Sequence, residues 1–360
     1  MKTRLMDQPD DFKKIGVLQN DIQAWEDGRR DDGRPGAYEW WYFDSILDDG
    51  TKLVIIFYDK YPLNIDRGIT PHVDILVTLP DGKSYSEHAE YTVEEASYPK
   101  GGCDVKIGPN SFTGNLKEYV IKVAPINGLG ADIRLSNLGA SWRPGAGYIA
   151  FGEKDENYFT WLCSVPRGKL NGTLTVGGNT TIVSGFGYHD HQWGNVHTAM
   201  IWNHWIWIRQ SVGDYNILVF DLVANHELGY KRYPLAFIQD KDGKTIFENT
   251  ESVQCEILEE YFQEKTQKVH PKRFKYTFQN GGKQVEYTVA MDAEIESQNN
   301  YTLVDDQTRG IFDQLKLRPS YTRYAGTGEL VITENGKSQT GNGGLIYEMI
   351  YNGQTYKDFV

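Results

Sequence analysis

The chain has 360 residues, 39% hydrophobic and 24% charged, with 49 acids against 37 bases and a net charge of −12. That length exceeds one ordinary core and predicts two domains. The acidic balance argues against a nucleic-acid partner, which would call for a basic face, and no basic block is present to seek an anionic membrane.

From the N-terminus, Met1–Phe12 mixes charges among few apolar residues, so no signal peptide is expected there. Short runs of Val, Ile, Thr, Tyr, Phe and Trp then recur between turn residues. They predict strands at Lys52–Tyr58, Val73–Leu79, Tyr119–Ala124, Ile217–Val223, Tyr276–Gln279, Glu286–Ala290 and Leu345–Tyr351. Asp48-Asp49-Gly50, Pro80-Asp81-Gly82, Lys241-Asp242-Gly243 and Asn280-Gly281-Gly282 punctuate them as hairpin turns. Helical periodicity is weak throughout, and Val253–Gln263 is the best helical candidate. The three cysteines, Cys103, Cys163 and Cys255, are far apart and read as reduced thiols. No window approaches the apolar length of a spanning helix, and a cytoplasmic location is expected. Many strands at regular turn spacing predict an all-β chain of barrels or sandwiches.

A faint repeat supports two such units. Trp40-Trp41-Tyr42-Phe43, a tight turn and Lys52–Phe57 are echoed by Trp205-Ile206-Trp207-Ile208, Gly213-Asp214 and Asn216–Asp221. At constant offset Trp41 matches Trp205 and Phe57 matches Asp221. The expected division is an N-terminal barrel over 1–185 and a C-terminal barrel over 186–360.

The densest chemistry lies in Gly185-Phe186-Gly187-Tyr188-His189-Asp190-His191-Gln192-Trp193-Gly194-Asn195. Imidazoles and a carboxylate must be solvated, paired or hydrogen-bonded, whereas tryptophan wants apolar surface. If the segment is extended, His189, His191 and Trp193 face one side and Tyr188, Asp190 and Gln192 the other. A histidine oriented by a carboxylate is a proton shuttle near neutrality, and the competing reading is a hydrogen-bonded polar cluster that staples the two barrels together.

Tyr38-Glu39-Trp40-Trp41-Tyr42-Phe43-Asp44, Gly187-Tyr188-His189-Asp190-His191-Gln192-Trp193-Gly194 and Gly343-Gly344-Leu345-Ile346-Tyr347-Glu348-Met349, in that order, resemble one family. It is the carotenoid 1,2-hydratase (hydroxyneurosporene synthase) and attachment-protein-like family, with kievitone hydratase and the fungal decalin-forming Diels–Alderases among its relatives. Gln192 stands where many members carry Asn. The resemblance implies two lipocalin-like antiparallel β-barrels side by side, holding a hydrophobic ligand in or between them. It leaves the reaction open, since members include hydratases and pericyclases.

Other candidates follow from the residues. His189 and His191, with His197 and His204, give an HxH…H pattern that suits zinc or iron. No second carboxylate intervenes, the resemblance implies no metal, and none is expected. Asp221 sits within the apolar run Ile217–Val223, so it is a protonated acid, an aspartate paired with Arg209 or Arg232, or an edge-strand residue pointing to solvent. Asp74 has the same character, and Glu39, Asp44 and Glu348 lie inside aromatic runs where structural pairing is expected. Trp40, Trp41, Tyr42, Trp193, Trp202, Trp205 and Trp207 divide between core packing and a pocket wall that shelters a cation or a flat polyene. Nucleotide-binding loops, a nucleophile elbow and HExxH are absent from the sequence, and no cofactor is expected.

Together these readings predict a two-domain all-β enzyme that hydrates or cyclises a C=C bond of a lipophilic polyene, isoprenoid or polyketide without a cofactor. His189, Asp190, His191 and Asp221 are the catalytic candidates. Trp40, Trp41, Tyr42, Tyr188, Gln192, Trp193, Trp205 and Trp207 are the substrate-binding candidates. A pericyclase that folds a polyene, with the acid–base groups acting as hydrogen-bond donors, and a lipocalin-type carrier are the alternatives.

Overall fold

Alternation along the strands decides which side chains meet. In the strand His72–Thr78, Val73, Ile75 and Val77 are fully buried, while Asp74, Leu76 and Thr78 point the other way. Each aliphatic side chain buried in this way contributes about 1.5–3 kcal/mol. The same period recurs from strand to strand, and the computed structural model, described over residues 2–61, 65–248 and 252–354, is all-β with a few short helices. Every expected strand lies within or overlaps an observed one. The turns at Gly50, Gly82, Gly243 and Gly281 each place the glycine at positive φ.

The chain divides into two units after His197. In the first, Tyr38–Leu47, Lys52–Tyr58, His72–Thr78 and Ser84–Glu90 form a meander, and Asn179–Gly194 closes against its first strand. Beyond it lie Leu162–Val176, Leu129–Asn137 and Glu118–Ile126. Ser84–Glu90 comes round against the last two, so the sheet curls toward closure. The core inside contains Trp41, Phe43, Leu53, Ile55, Phe57, Val73, Ile121 and Leu135.

The second unit repeats that order. Trp202–Val212, Tyr215–Ala224, Arg232–Gln239 and Thr245–Glu248 form the meander, and Lys337–Tyr351 closes against its first strand. Ser320–Glu334, Lys283–Gln298, Lys268–Asn280 and Gln254–Gln263 follow. The same sequence of pairings, twice in one chain, supports the internal repeat.

Three expectations are corrected. Val253–Gln263 is not helical: Gln254–Gln263 is a strand paired with Lys268–Asn280, because the cross-strand ladder outweighs a modest helical pattern. A boundary at 185/186 would cut the continuous strand Asn179–Gly194, all of which pairs within the first unit. The repeat is also one residue out at its first strand. Trp41 pairs with Phe57, but Asp221 pairs with Ile206, and it is Ile206 and Ile208 that fill the second core. No helix among the described residues is long and apolar enough to cross a membrane. All three cysteines are free thiols, as expected.

Candidate active site on the strand Asn179–Gly194

This strand lies between Tyr38–Leu47 and Leu162–Val176, in register His191–Trp41, Asp190–Tyr42 and His189–Phe43. The expected alternation is the one observed, so one strand carries two unlike polar groups on opposite faces. The motif ends in Gly194 because a Cβ there would come within 2.5 Å of the Tyr38 hydroxyl.

On the inner face His189 and His191 are fully buried. His189 Nδ1 donates to the Tyr42 carbonyl at 2.8 Å, and its Nε2 lies 3.1 Å from Asp27 Oδ2. His191 Nε2 lies 2.7 Å from Glu39 Oε1, and its Nδ1 lies 3.5 Å from Asp27 Oδ1. Asp27 is delivered by the short 3₁₀ turn Ala24–Asp27, whose last carbonyl accepts from the Trp41 indole at 2.9 Å. Tyr119 donates to the same carboxylate. Burial works to raise the Asp27 pKa, but the facing His189 and His191 imidazoles and Tyr119 hold it below the ordinary value. Glu39 also accepts the backbone N–H groups of Arg30 and Asp31, at 2.7 and 2.9 Å. The group thus ties the segment before the first long strand to the strand that closes the sheet. Trp41 stacks on His191 at 4.5 Å between ring centres, and the tilted Trp193 ring lies 4.7 Å from it. Both tryptophans are buried.

Asp27, Cys103 and His189 bring ligand-type atoms within 4.8 Å of one another. Protein partners already engage them: both nitrogens of His189, Asp27 Oδ2 through Tyr119, and the Cys103 thiol through the Phe112 carbonyl at 3.4 Å. His204, the last histidine of the expected HxH…H set, belongs to the second unit, with Nδ1 2.7 Å from Asn203 Oδ1.

On the outer face Asp190 is buried, and among the described residues only neutral donors touch it. Tyr188 Oη, Trp161 Nε1 and Gln192 Nε2 donate to Oδ2 at 2.8, 3.0 and 3.2 Å. Oδ1 is buried and accepts no hydrogen bond among the described residues. Burial pushes the carboxyl up to about 6, against the opposing pull of the Tyr188 hydrogen bond and the nearby His189. Tyr42 and Gln192, half-buried, flank it on the same face, and Tyr42 reaches Asp44 at 3.3 Å. Trp40 shares that face and stacks on Tyr38 at 5.2 Å. A carboxylic acid with three neutral donors on one oxygen and no hydrogen bond on the other can donate a proton close to neutrality.

Asp221 is fully buried in the second unit. Arg232 Nε lies 3.0 Å from Oδ1, and Tyr276 donates to Oδ2 at 2.8 Å. Of the expectations for it, the structure contains the ion pair with Arg232, and the buried side chain does not point to solvent. Trp205 and Trp207 are half-buried in the same unit, Trp205 against Phe220 and Trp207 beneath the Arg209 guanidinium. A cavity of about 260 Å³ there, lined by Trp202, Asn203, Tyr230 and Leu317 among others, holds none of the expected catalytic residues. Sequence reasoning missed Asp27, Tyr119 and Trp161 altogether; each stands in an unremarkable local context, and only the folded register brings it to the motif.

Two antiparallel units with a repeated strand order, the first curled toward closure, define the class as a tandem lipocalin-like fold, which the comparisons bear out. Residues 148–313 match the family described as Diels-Alderase-like. A quinolone epoxide rearrangement protein, penF of Penicillium thymicola, is 24% identical over 242 residues, 60% of this chain and 62% of that protein. The match therefore spans less than two thirds of that relative's length. The crystal structure of CghA with Sch210972 superposes with a TM-score of 0.60 at 13% identity, covering 93% of this chain and 97% of the other. Kievitone hydratase from Nectria haematococca gives 0.55 at 16% identity, covering 93% and 94%. At these identities the structures establish the fold, in agreement with the resemblance carried by the three motifs.

Proposed function

We propose that this protein is a cofactor-independent acid catalyst acting on a C=C bond, or an epoxide derived from one, in a lipophilic polyene, isoprenoid or polyketide. The single observation that carries the reading is Asp190, a buried carboxyl with three neutral donors on Oδ2 and, among the described residues, no hydrogen bond on Oδ1. The proton passes from Oδ1 to an alkene carbon and leaves a carbocation. Water then captures the cation, or an internal alkene closes on it, and the proton lost in that step returns to Asp190. On an epoxide the same acid protonates the ring oxygen and the carbon skeleton rearranges. Tyr42 and Gln192 lie beside Asp190 on the same face and suit the positioning of a substrate. His189 and His191 serve as the brace that holds the strand, and Asp221 as a structural ion pair. The Diels-Alderase-like match favours a second reading, in which Asp190, neutral, donates a hydrogen bond to a substrate carbonyl while the protein folds a polyene.

The test is product analysis in heavy-oxygen water over a panel of linear polyenes, isoprenoids and their epoxides, with Asp190→Asn alongside. Label in an alcohol, lost in the variant while binding persists, supports hydration. An unlabelled isomer, lost in the variant, supports cyclisation, rearrangement or the pericyclic step. Tight binding without turnover would make the protein a carrier and overturn the reading.

A further inference from the structure

The face that carries Asp190 carries a second carboxyl, which the reaction above leaves without a role. The strand Tyr38–Leu47 runs antiparallel to Asn179–Gly194, with Tyr42 opposite Asp190 and Asp44 opposite Tyr188. Opposed residues share a face, so these four side chains form one group, with Asp44 and Asp190 on its diagonal. Diagonal neighbours on adjacent strands stand about 7–8 Å apart, near enough to serve one bound molecule without touching each other.

The two tyrosines lean opposite ways along their strands. Tyr188 Oη donates to Asp190 Oδ2 at 2.8 Å, whereas Tyr42 Oη donates to Asp44 Oδ2 at 3.3 Å. Their rings meet edge to face, with centres 6.3 Å apart. Each carboxyl thus receives one phenol, but the two phenols differ in access. Tyr188 is fully buried, while Tyr42 is half-buried. A phenol has a single O–H, and an oxygen that donates it keeps the capacity to accept. Asp44 takes the Tyr42 proton, which turns the acceptor side of that oxygen toward an incoming donor. The donor that suits it is water.

We propose that Tyr42 holds the water that captures the carbocation formed by Asp190, and that Asp44 is the positioning residue that fixes the Tyr42 hydroxyl. The inference rests on the Asp190 reading and deepens it, because it selects hydration from the reactions open to that acid. Asp190 gives its proton to one alkene carbon. The water, donating one proton to Tyr42 Oη, bonds through its oxygen to the other carbon. The proton it sheds returns to Asp190, and Asp44 keeps the Tyr42 proton as a hydrogen bond throughout. H and OH add across the bond, and water is the only co-reactant consumed. Without an oriented water the same cation loses a proton from a neighbouring carbon to Asp190, and an isomerised alkene leaves instead.

The experiment is product analysis in heavy-oxygen water over a panel of linear polyenes and isoprenoids. Tyr42→Phe, Asp44→Ala and Asp44→Asn are compared with the native protein and Asp190→Asn, and circular dichroism checks each fold. The readout is the ratio of labelled alcohol to isomerised alkene, which a purely structural role does not move. The ratio falls at least about tenfold in Tyr42→Phe and in Asp44→Ala. Asp44→Asn restores most of it, because its amide oxygen still accepts from Tyr42. An unchanged ratio in Tyr42→Phe, or both products falling together, overturns the inference and leaves the Asp190 reading standing. So does a native product that carries no label. Absence of turnover in the native protein, or turnover that persists in Asp190→Asn, overturns the Asp190 reading and this inference with it.

Discussion

The inner and outer faces of the strand Asn179–Gly194 bury the same kinds of group with opposite results. Inward, Asp27 and Glu39 face His189 and His191, and Asp27 is held below its ordinary pKa. Outward, Asp190 is as deeply buried but among the described residues accepts hydrogen bonds only from a phenol, an indole and an amide, and it is raised to about 6. Burial beside a counter-charge makes a brace, and burial beside neutral donors makes a store for one proton. Two residues apart in sequence, His189 and His191 on one side and Asp190 on the other separate structure from chemistry.

The largest expected effect tests the brace. Asp27→Ala leaves two buried imidazoles facing a void, and stability falls by about 3–5 kcal/mol, measured from denaturant midpoints. An unchanged midpoint would remove the structural role assigned to the inner face. Asp221→Asn in the second unit has a smaller cost, because the Arg232 side chain is 30% exposed and water takes up part of its charge. The product pattern should not change; a change would return Asp221 to the catalytic set.

The outer face is tested by pH. Asp190 has a folded pKa of about 6 against an ordinary 3.8, so its contribution to stability is complete below 3.8 and is lost as pH rises through about 6. Above that range the buried charge costs about 2–4 kcal/mol. Asp190→Asn keeps an oxygen for the three donors and carries no charge. Its stability relative to the native protein should therefore rise between pH 4 and pH 7. A constant difference across that range would mean that Asp190 does not titrate there. The smallest effect belongs to Trp161→Phe, which removes one donor from the carboxylate form and shifts the alkaline limb of activity upward by up to about one pH unit. A downward shift would reverse the assigned direction of that hydrogen bond.

Much of the architecture was legible because strand signals are local. Val73, Ile75 and Val77 announce a half-buried strand, and glycines after Asp announce the turns. The opposite facing of His189 and Asp190 follows from the period of two once the segment is taken as extended. Partnership is not local. Asp27 meets His189 across 162 residues of sequence, and Trp161 reaches Asp190 only because two strands are in register. Gln254–Gln263 reads weakly as helix because its decisive term, the ladder to Lys268–Asn280, lies outside the segment. Asp221 could be narrowed to an acid, an ion pair or a solvent-facing edge residue, but only the fold brings Arg232 to it.

The most direct measurement needs no substrate: infrared difference spectroscopy of the protonated carboxyl across a pH titration, in the native protein and in Asp190→Asn. The account predicts a carboxylic acid band that disappears with a midpoint near pH 6 and is absent from the variant. A spectrum with no carboxyl titrating between pH 5 and pH 7, or the same titration in Asp190→Asn, would contradict the assignment of Asp190 as the stored proton.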